Sequence, residues 1–267
     1  MFRRPEGSVA SPARRFRTLR TVGALVLREI ESSNGRSSLG YLWAVVEPVA
    51  GILLMTVIFS IVFHAPPIGD SFAFFYASGF LPFTAYLDIS QKVSQAIRFS
   101  RPLLFCPGVT FLDALLARFL LGALTQVVVV GAVVGAMIPL LGLEVILDLP
   151  AIGLALVFCF ALALGVGSLN CFLIERFPSW ERIWSIATRP LFIVSAVFFV
   201  FDGVPQPYRD WLWWNPLVHV VGQMRRGFYP SYEGAYVSAY YVLAVAGAAF
   251  LAGLVFLGRY HRDLNNA

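Results

Sequence analysis

From Leu42 to Phe63 the chain runs for 22 residues with only Glu47, Pro48 and a few small residues breaking an apolar sequence. At about 1.5 Å per residue a helix of that length reaches roughly the ~30 Å hydrocarbon thickness of a bilayer and is too long for an ordinary core helix. Five further segments repeat the pattern: Phe72 to about Ala96, Leu115 to Leu141, Pro150 to Ile174, Trp180 to about Phe201, and Tyr236 to Leu257. Composition agrees, with 58% hydrophobic and 13% charged residues against about 25% charged in soluble domains, and a mean hydropathy of +0.76. The class expected is an all-α membrane protein of six transmembrane helices.

Ahead of the first span lies an arm, residues 1–36, that carries eight arginines and no apolar run of signal-peptide length before Thr21, so a cleaved signal peptide is not expected. Phe16, Leu19, Val22, Val26 and Ile30 recur at three- and four-residue steps, with Arg17, Arg20, Arg28 and Glu31 on the other face. This predicts an amphipathic helix lying in the membrane interface, its arginines toward anionic headgroups, or a helix that docks on a partner. Ser32-Ser33-Asn34-Gly35 closes it. The chain thus divides into the arm at 1–36 and a six-helix transmembrane domain at 37–267.

The connections differ in character. His64 to Asp70 and Gly142 to Asp148 are short turns without Lys or Arg. The stretch Arg98 to Phe111 is apolar and proline-punctuated yet bounded by positive charge; it either dips into the membrane surface or inserts into a groove of another protein. Residues 203–229, with Trp211, Trp213, Trp214, Asn215 and Pro216, are apolar and aromatic but too interrupted to cross. A re-entrant helical pair before the last span fits them, since irregular backbone is tolerated at membrane depth where it is buried or lines a cavity. With both termini on the cytoplasmic side, the inside carries 17 of the 20 Lys and Arg, and the outside only Arg209, Arg225 and Arg226, as the positive-inside rule demands.

Several residues stand out for chemistry. Glu47, one turn or so inside the first span, is a carboxylate whose insertion costs at least ~2.5 kcal/mol; it either faces a neighbouring helix near the headgroups, with Pro48 placing a local kink, or belongs to a translocation path. The 24 Phe, ten Tyr and six Trp serve as belt anchors at the two interfaces or line a path for something that stacks on rings, such as sugars. Arg225 and Arg226 contact outer-leaflet phosphates or Asp210 and Glu233, or guide an acidic glycan. Gly131 and Gly135 form a G-x-x-x-G that permits close helix approach. Cys106, Cys159 and Cys171 lack C-x-x-C spacing and read as apolar fillers. No lysine follows glycine as a P-loop requires, since Lys92 follows Gln91, and no H-E-x-x-H or G-x-S-x-G is present. An enzyme is disfavoured, the arginines follow topology rather than nucleic acid, and conduction driven by a partner or an ion gradient remains.

The arm, the segment Arg36-Ser-Ser-Leu-Gly-Tyr-Leu-Trp43 with Glu47-Pro48, the connection containing Pro102-Leu-Leu-Phe-Cys-Pro107, and Asn215-Pro216 before the last span resemble the permease subunit of type 2 ABC exporters, more narrowly those exporting capsular polysaccharide, O-antigen or teichoic acid. The resemblance covers about residues 20–260. It implies a homodimer in the bacterial inner membrane, two copies of a separate cytoplasmic ABC ATPase that holds ATP and Mg, no cofactor in this chain, a lipid-linked glycan as substrate and periplasmic export components as further partners. Arg101, Leu103, Leu104, Phe105 and Pro107 would then form the ATPase-coupling helix. Tyr41, Trp43, Glu47, Phe198, Phe199, Trp213, Trp214, Arg225 and Arg226 would be the channel candidates, and 203–229 the external gate. Export of a drug or lipid is the alternative within the family. A gradient-driven secondary transporter, using Glu47 and Asp88 as proton or cation sites, is the alternative outside it.

Overall fold

A computed structural model describes residues 21–27, 40–104 and 110–266, and among them helices are joined by turns and loops, with no strand. In chain order the helices are α1 (residues 21–27), α2 (Gly40–Val62), α3 (Phe72–Ser94), α4 (Ala96–Leu104), α5 (Phe111–Leu141), α6 (Leu149–Arg176), α7 (Trp180–Val194), α8 (Tyr208–Trp213), α9 (Pro216–Phe228) and α10 (Ala239–Asn266). Five are long and apolar enough to cross a membrane: Leu42–Val62, Phe72–Ser94, Phe111–Leu141, Leu149–Arg176 and Ala239–Arg259.

Local chemistry fixes the starts of these helices. Ser71 accepts from the Phe74 amide, and Asp148 from that of Ala151 with Pro150 in the first turn. Thr110 and Asp113 form a reciprocal capping box, which starts α5 four residues ahead of the Leu115 read from hydropathy. Hydroxyls within the spans bond back to their own helix, as in Thr84 to Phe80 and Ser168 to Leu164, so apolar surroundings leave none of these donors stranded.

α3 and α6 form the centre, with α10, α5 and α9 packed around them. α6 meets α10 closely because glycine is used there: a Cβ on Gly165 would fall on the Ala246 carbonyl, and one on Gly253 would lie 2.7 Å from the Ser168 backbone. On the opposite side Gly167 admits Val93 and the Ser90 carbonyl of α3. The G-x-x-x-G of Gly131 and Gly135 meets nothing within 4 Å among the described residues, so the pattern does not build a helix contact inside this chain. Cys159 and Cys171 are buried free thiols, as fillers should be; Cys106 lies outside the described residues.

The segment read as a fifth span has a different form. α7 has 15 residues, about 22 Å of helix, and stops at Val194 rather than running to Phe201. The stop has a backbone cause: Ala196 takes φ 57°, in the left-handed region, where a helix cannot continue. The freed carbonyls are taken by side chains from later in the sequence, described below. After α7 the chain passes through a short 3-10 turn at Phe201–Gly203 into α8 and α9. α7 has no buried residue, and α2 is mostly exposed, so these two helices leave broad apolar faces open on one flank. Of the amphipathic arm, residues 21–27 are helical, with Val22 buried and Val26 half-buried; its arginines lie outside the described residues.

Candidate functional site

Three neighbouring groups of residues have functional geometry. The first is at the end of the bundle where Arg98, Arg101, Arg176 and Arg182 gather, the basic end. α4 follows α3 after Gln95, and its Arg98 reaches three partners. Nε lies 3.3 Å from a Glu175 carboxylate oxygen at the end of α6, Nη1 donates to Glu181 at the start of α7 at 2.7 Å, and Nη2 donates to the Ile174 carbonyl at 3.3 Å. One guanidinium thereby joins three helices. Arg118 of α5 lies over the Phe99 ring, 3.8 Å from its centroid, and holds the other side of α4. Arg101 is exposed on α4. Leu103 and Leu104 are placed on the same helix by backbone alone, and Phe105 and Pro107 lie outside the described residues.

The second group lies within the bundle. Asp88 of α3 accepts from Lys92 one turn on and from Gln126 of α5, both at 2.8 Å. The pair Asp88–Lys92 is about one-third exposed because a cavity of about 480 Å³ opens beside it, lined also by Trp43, Glu47 and Thr84. Glu47 is exposed and has no ion pair among the described residues, whereas Pro48 beside it is buried. Trp43 is 66% exposed; Tyr41 is on the same helix two residues toward the basic end, placed by backbone alone.

The third group is the segment between α7 and α10. Asn215 caps α9 through the Leu217 amide, and its side-chain nitrogen donates to the Val194 carbonyl and the Ser195 hydroxyl. Arg225, fully buried, donates to the carbonyls of Phe199 at 2.6 Å and Val197 at 2.9 Å. Its guanidinium carbon sits 4.5 Å from the centre of the Phe75 ring. His219 is held on both nitrogens: Nε2 lies 2.8 Å from the Trp213 carbonyl and Nδ1 accepts from the Ser238 amide. That pattern defines a neutral ring in the Nε2–H tautomer.

The remaining aromatic candidates divide. Phe198 joins a ring cluster with Phe59 of α2, Tyr76 of α3 and Phe192 of α7. Phe199 is half-buried against Ala196, Phe201 and Val218. Trp213 is packed on His219 and Tyr241, with its indole donating to the Tyr236 carbonyl. Trp214 is 68% exposed. The paired arginines also part company. Arg225 is withdrawn from any surface and bonds backbone carbonyls instead of Asp210 or Glu233. Arg226 is exposed, donates to Gln223, and borders an open cavity of about 780 Å³ shared with Asp148 and Glu233.

Sequence reading passed over Arg98 as a mere flank and did not weigh Gln126, Glu175, Glu181 or His219. Gln126 was visible as the one amide in a Val-rich span, and Glu175 and Glu181 as acids in a basic connection. Their meeting with Arg98, more than 75 residues away, was not.

Residues 20–229 match the ABC-2 type transporter family, and the chain belongs to it. It is 32% identical over 236 residues to the polysialic acid transport protein KpsM of Escherichia coli, covering 88% of this chain and 91% of that one. It is 26% identical over 251 residues, 92% of each chain, to the capsule polysaccharide export inner-membrane protein CtrC of Neisseria meningitidis, and 26% identical over 259 residues, again 92% of each, to BexB of Haemophilus influenzae.

Proposed function

We propose that this chain is the channel-forming permease subunit of an ATP-driven exporter that carries a lipid-linked capsular polysaccharide across the bacterial inner membrane. The observation that carries this reading is similarity to capsule export membrane proteins over about nine-tenths of the chain. The chain works as a homodimer with two copies of a separate ATPase, which hold ATP and Mg. The open apolar faces of α2 and α7 support dimerisation, because a face of that kind needs either lipid or a second protomer. Arg101, Leu103, Leu104, Phe105 and Pro107 form the surface that meets the ATPase, beside the arm, and periplasmic components receive the polymer.

Both termini are cytoplasmic on this reading, and the basic end faces the cytoplasm. Six crossings follow from parity. α6 ends at the basic end, where Glu175 meets Arg98, and α10 begins at the opposite end, so residues 177–238 make one net crossing. That crossing is composite, α7 for the inner part and the Ser195–Val204 chain for the outer. α9 re-enters between them: its first residues touch the end of α7 through Asn215, and its last touch the start of α6 through the Gly227 carbonyl and the Asp148 amide. Trp43, Glu47, Tyr41, Phe198, Phe199, Trp213, Trp214 and Arg226 are the groups proposed along the path or at its gate, with Arg225 as the strut that holds the gate together.

A pull-down tests the partnership. From gently solubilised native membranes an ATPase co-purifies with this chain, and Leu104→Glu with Phe105→Glu releases it; if no ATPase accompanies the wild-type chain, the exporter reading fails. A second experiment separates the energy source. Asp88→Asn combined with Glu47→Gln keeps surface polymer within about threefold of wild type, since an ion pair that is one-third exposed contributes on the order of 1 kcal/mol or less. Complete loss of transport would favour a proton- or cation-driven carrier.

A further inference from the structure

A cavity of about 370 Å³ lies at the basic end between α3, α6 and α7, and its lining is unlike the rest of this chain. α3 contributes Gln91 and Gln95, one turn apart, with Ser90 and Ser94 beside them, and α7 contributes Trp184, Ser185 and Thr188. The amides of Gln91 and Gln95 and the indole N–H of Trp184 make no hydrogen bond among the described residues. The hydroxyl protons are used, Ser94 to the Gln91 carbonyl, Ser185 to the Arg182 carbonyl and Thr188 to the Ser185 carbonyl, so each of these oxygens has its lone pairs left to accept. The charged residues of the lining are Glu181, which is paired with Arg98, and Arg182, which is exposed.

The Trp184 ring is also held in place. It stacks on Trp180 with centroids 6.4 Å apart and planes 24° apart, and the Trp180 indole donates to Asn170 at 2.9 Å. An aromatic ring stacked on its neighbour thus lines the same cavity as two amides that can each donate and accept. Acyl chains would leave those amides unpaired in an apolar contact, which is costly. A pyranose ring satisfies both sides, its hydroxyls toward the amides and its C–H face on the indole. The volume falls at the small end of the roughly 300–1,000 Å³ typical of small-molecule sites, room for a short stretch of a polymer. Gln91 also lines the adjoining cavity with Asp88 and Lys92, so the two spaces adjoin at that residue.

We propose that this cavity is a sugar-binding subsite at the cytoplasmic mouth, in which Gln91, Gln95 and Trp184 hold a short segment of the glycan through its hydroxyls and ring faces, independently of its charge and of its lipid anchor. It rests on the polysaccharide-export reading, and the test keeps the two apart. Gln95→Cys is placed in a chain whose own cysteines are replaced by alanine, and labelling by N-ethylmaleimide is timed in inverted membrane vesicles from cells that make capsule and from cells whose polymerase is inactive. Labelling is at least fivefold slower in polymer-containing membranes, while Glu144→Cys, at the opposite end of the bundle, reacts alike in both once the vesicles are permeabilised. Trp184→Ala abolishes the protection and Trp184→Phe keeps it. Gln91→Ala lowers surface polymer severalfold with the ATPase still bound. Equal labelling in both membranes, with capsule still reaching the surface, overturns the subsite and leaves the exporter reading intact; protection that survives Trp184→Ala overturns the ring-stacking role. If capsule reaches the surface in cells lacking this chain, the exporter reading itself is overturned and the subsite with it.

Discussion

Replacing Arg98 with alanine lowers polymer export by at least tenfold while the ATPase still co-purifies with this chain. Arg98 stands on α4, within the stretch proposed to meet the ATPase, and its guanidinium holds Glu175 of α6 and Glu181 of α7. Charge-assisted hydrogen bonds are worth about 1.5–3 kcal/mol each, discounted here because Arg98 and Glu181 are about 40% exposed. A single surviving interaction of about 1.4 kcal/mol suffices for a tenfold effect. Arg98→Lys, with a single ammonium in place of a fork, retains part of the export. Arg98→Glu paired with Glu181→Arg regains more than either change alone. These variants are followed by surface polymer and by ATP hydrolysis of the purified complex. Undiminished export by Arg98→Ala would remove the strut from the mechanism. Simultaneous loss of the ATPase would make Arg98 a docking residue instead.

Arg225→Met destabilises the chain by on the order of 3 kcal/mol. Methionine fills a similar length but leaves the carbonyls of Val197 and Phe199 without their donors, and an unpaired buried acceptor costs about 1–3 kcal/mol. The face contact with Phe75 is lost as well. For a chain of this size the change corresponds to a midpoint lower by about 5–10 °C, read by size-exclusion chromatography of heated, detergent-solubilised protein. Arg226→Met, one residue along but exposed, stays within about 1 °C of wild type. Equal midpoints for the two variants would mean that the Val197–Phe199 segment is held by something other than Arg225.

The contrast between these adjacent arginines shows what the sequence can and cannot reveal. Hydropathy located α2, α3, α5 and α6 to within four residues at each end, because a bilayer imposes length and apolarity on each helix separately, while α10 runs nine residues past the Leu257 where the apolar pattern ends. It also marked residues 203–229 as too interrupted to cross, and the helices there are indeed short. It could not see that α7 ends at Val194. That boundary depends on Asn215 and Arg225, some 20 and 30 residues later, supplying donors to carbonyls that a helix would have paired internally. Side-chain pairs between helices were equally hidden. Asp88 read as an isolated acid, yet Lys92 and Gln126 complete it; Arg98 read as topological charge, yet two acids from another connection surround it. Trp43 and Trp214 are exposed, whereas Trp213 serves the packing around His219.

The end of α7 has a mechanical meaning. A continuous helix transmits an axial push along its whole length, since every turn is bonded to the next. α7 meets α4 at Glu181 and ends at Val194, and Pro190 within it already leaves the Ile186 carbonyl without its backbone donor. Beyond that point the load passes through the bonds from Asn215 to Val194 and Ser195 and from Arg225 to Val197 and Phe199. Such bonds yield before a helix does. On the orientation proposed above, α7 is a rod that softens at Pro190 and ends in a compliant joint, so that small movements at the basic end reappear as rotation at Ser195–Val200, beside Phe198 and Tyr76.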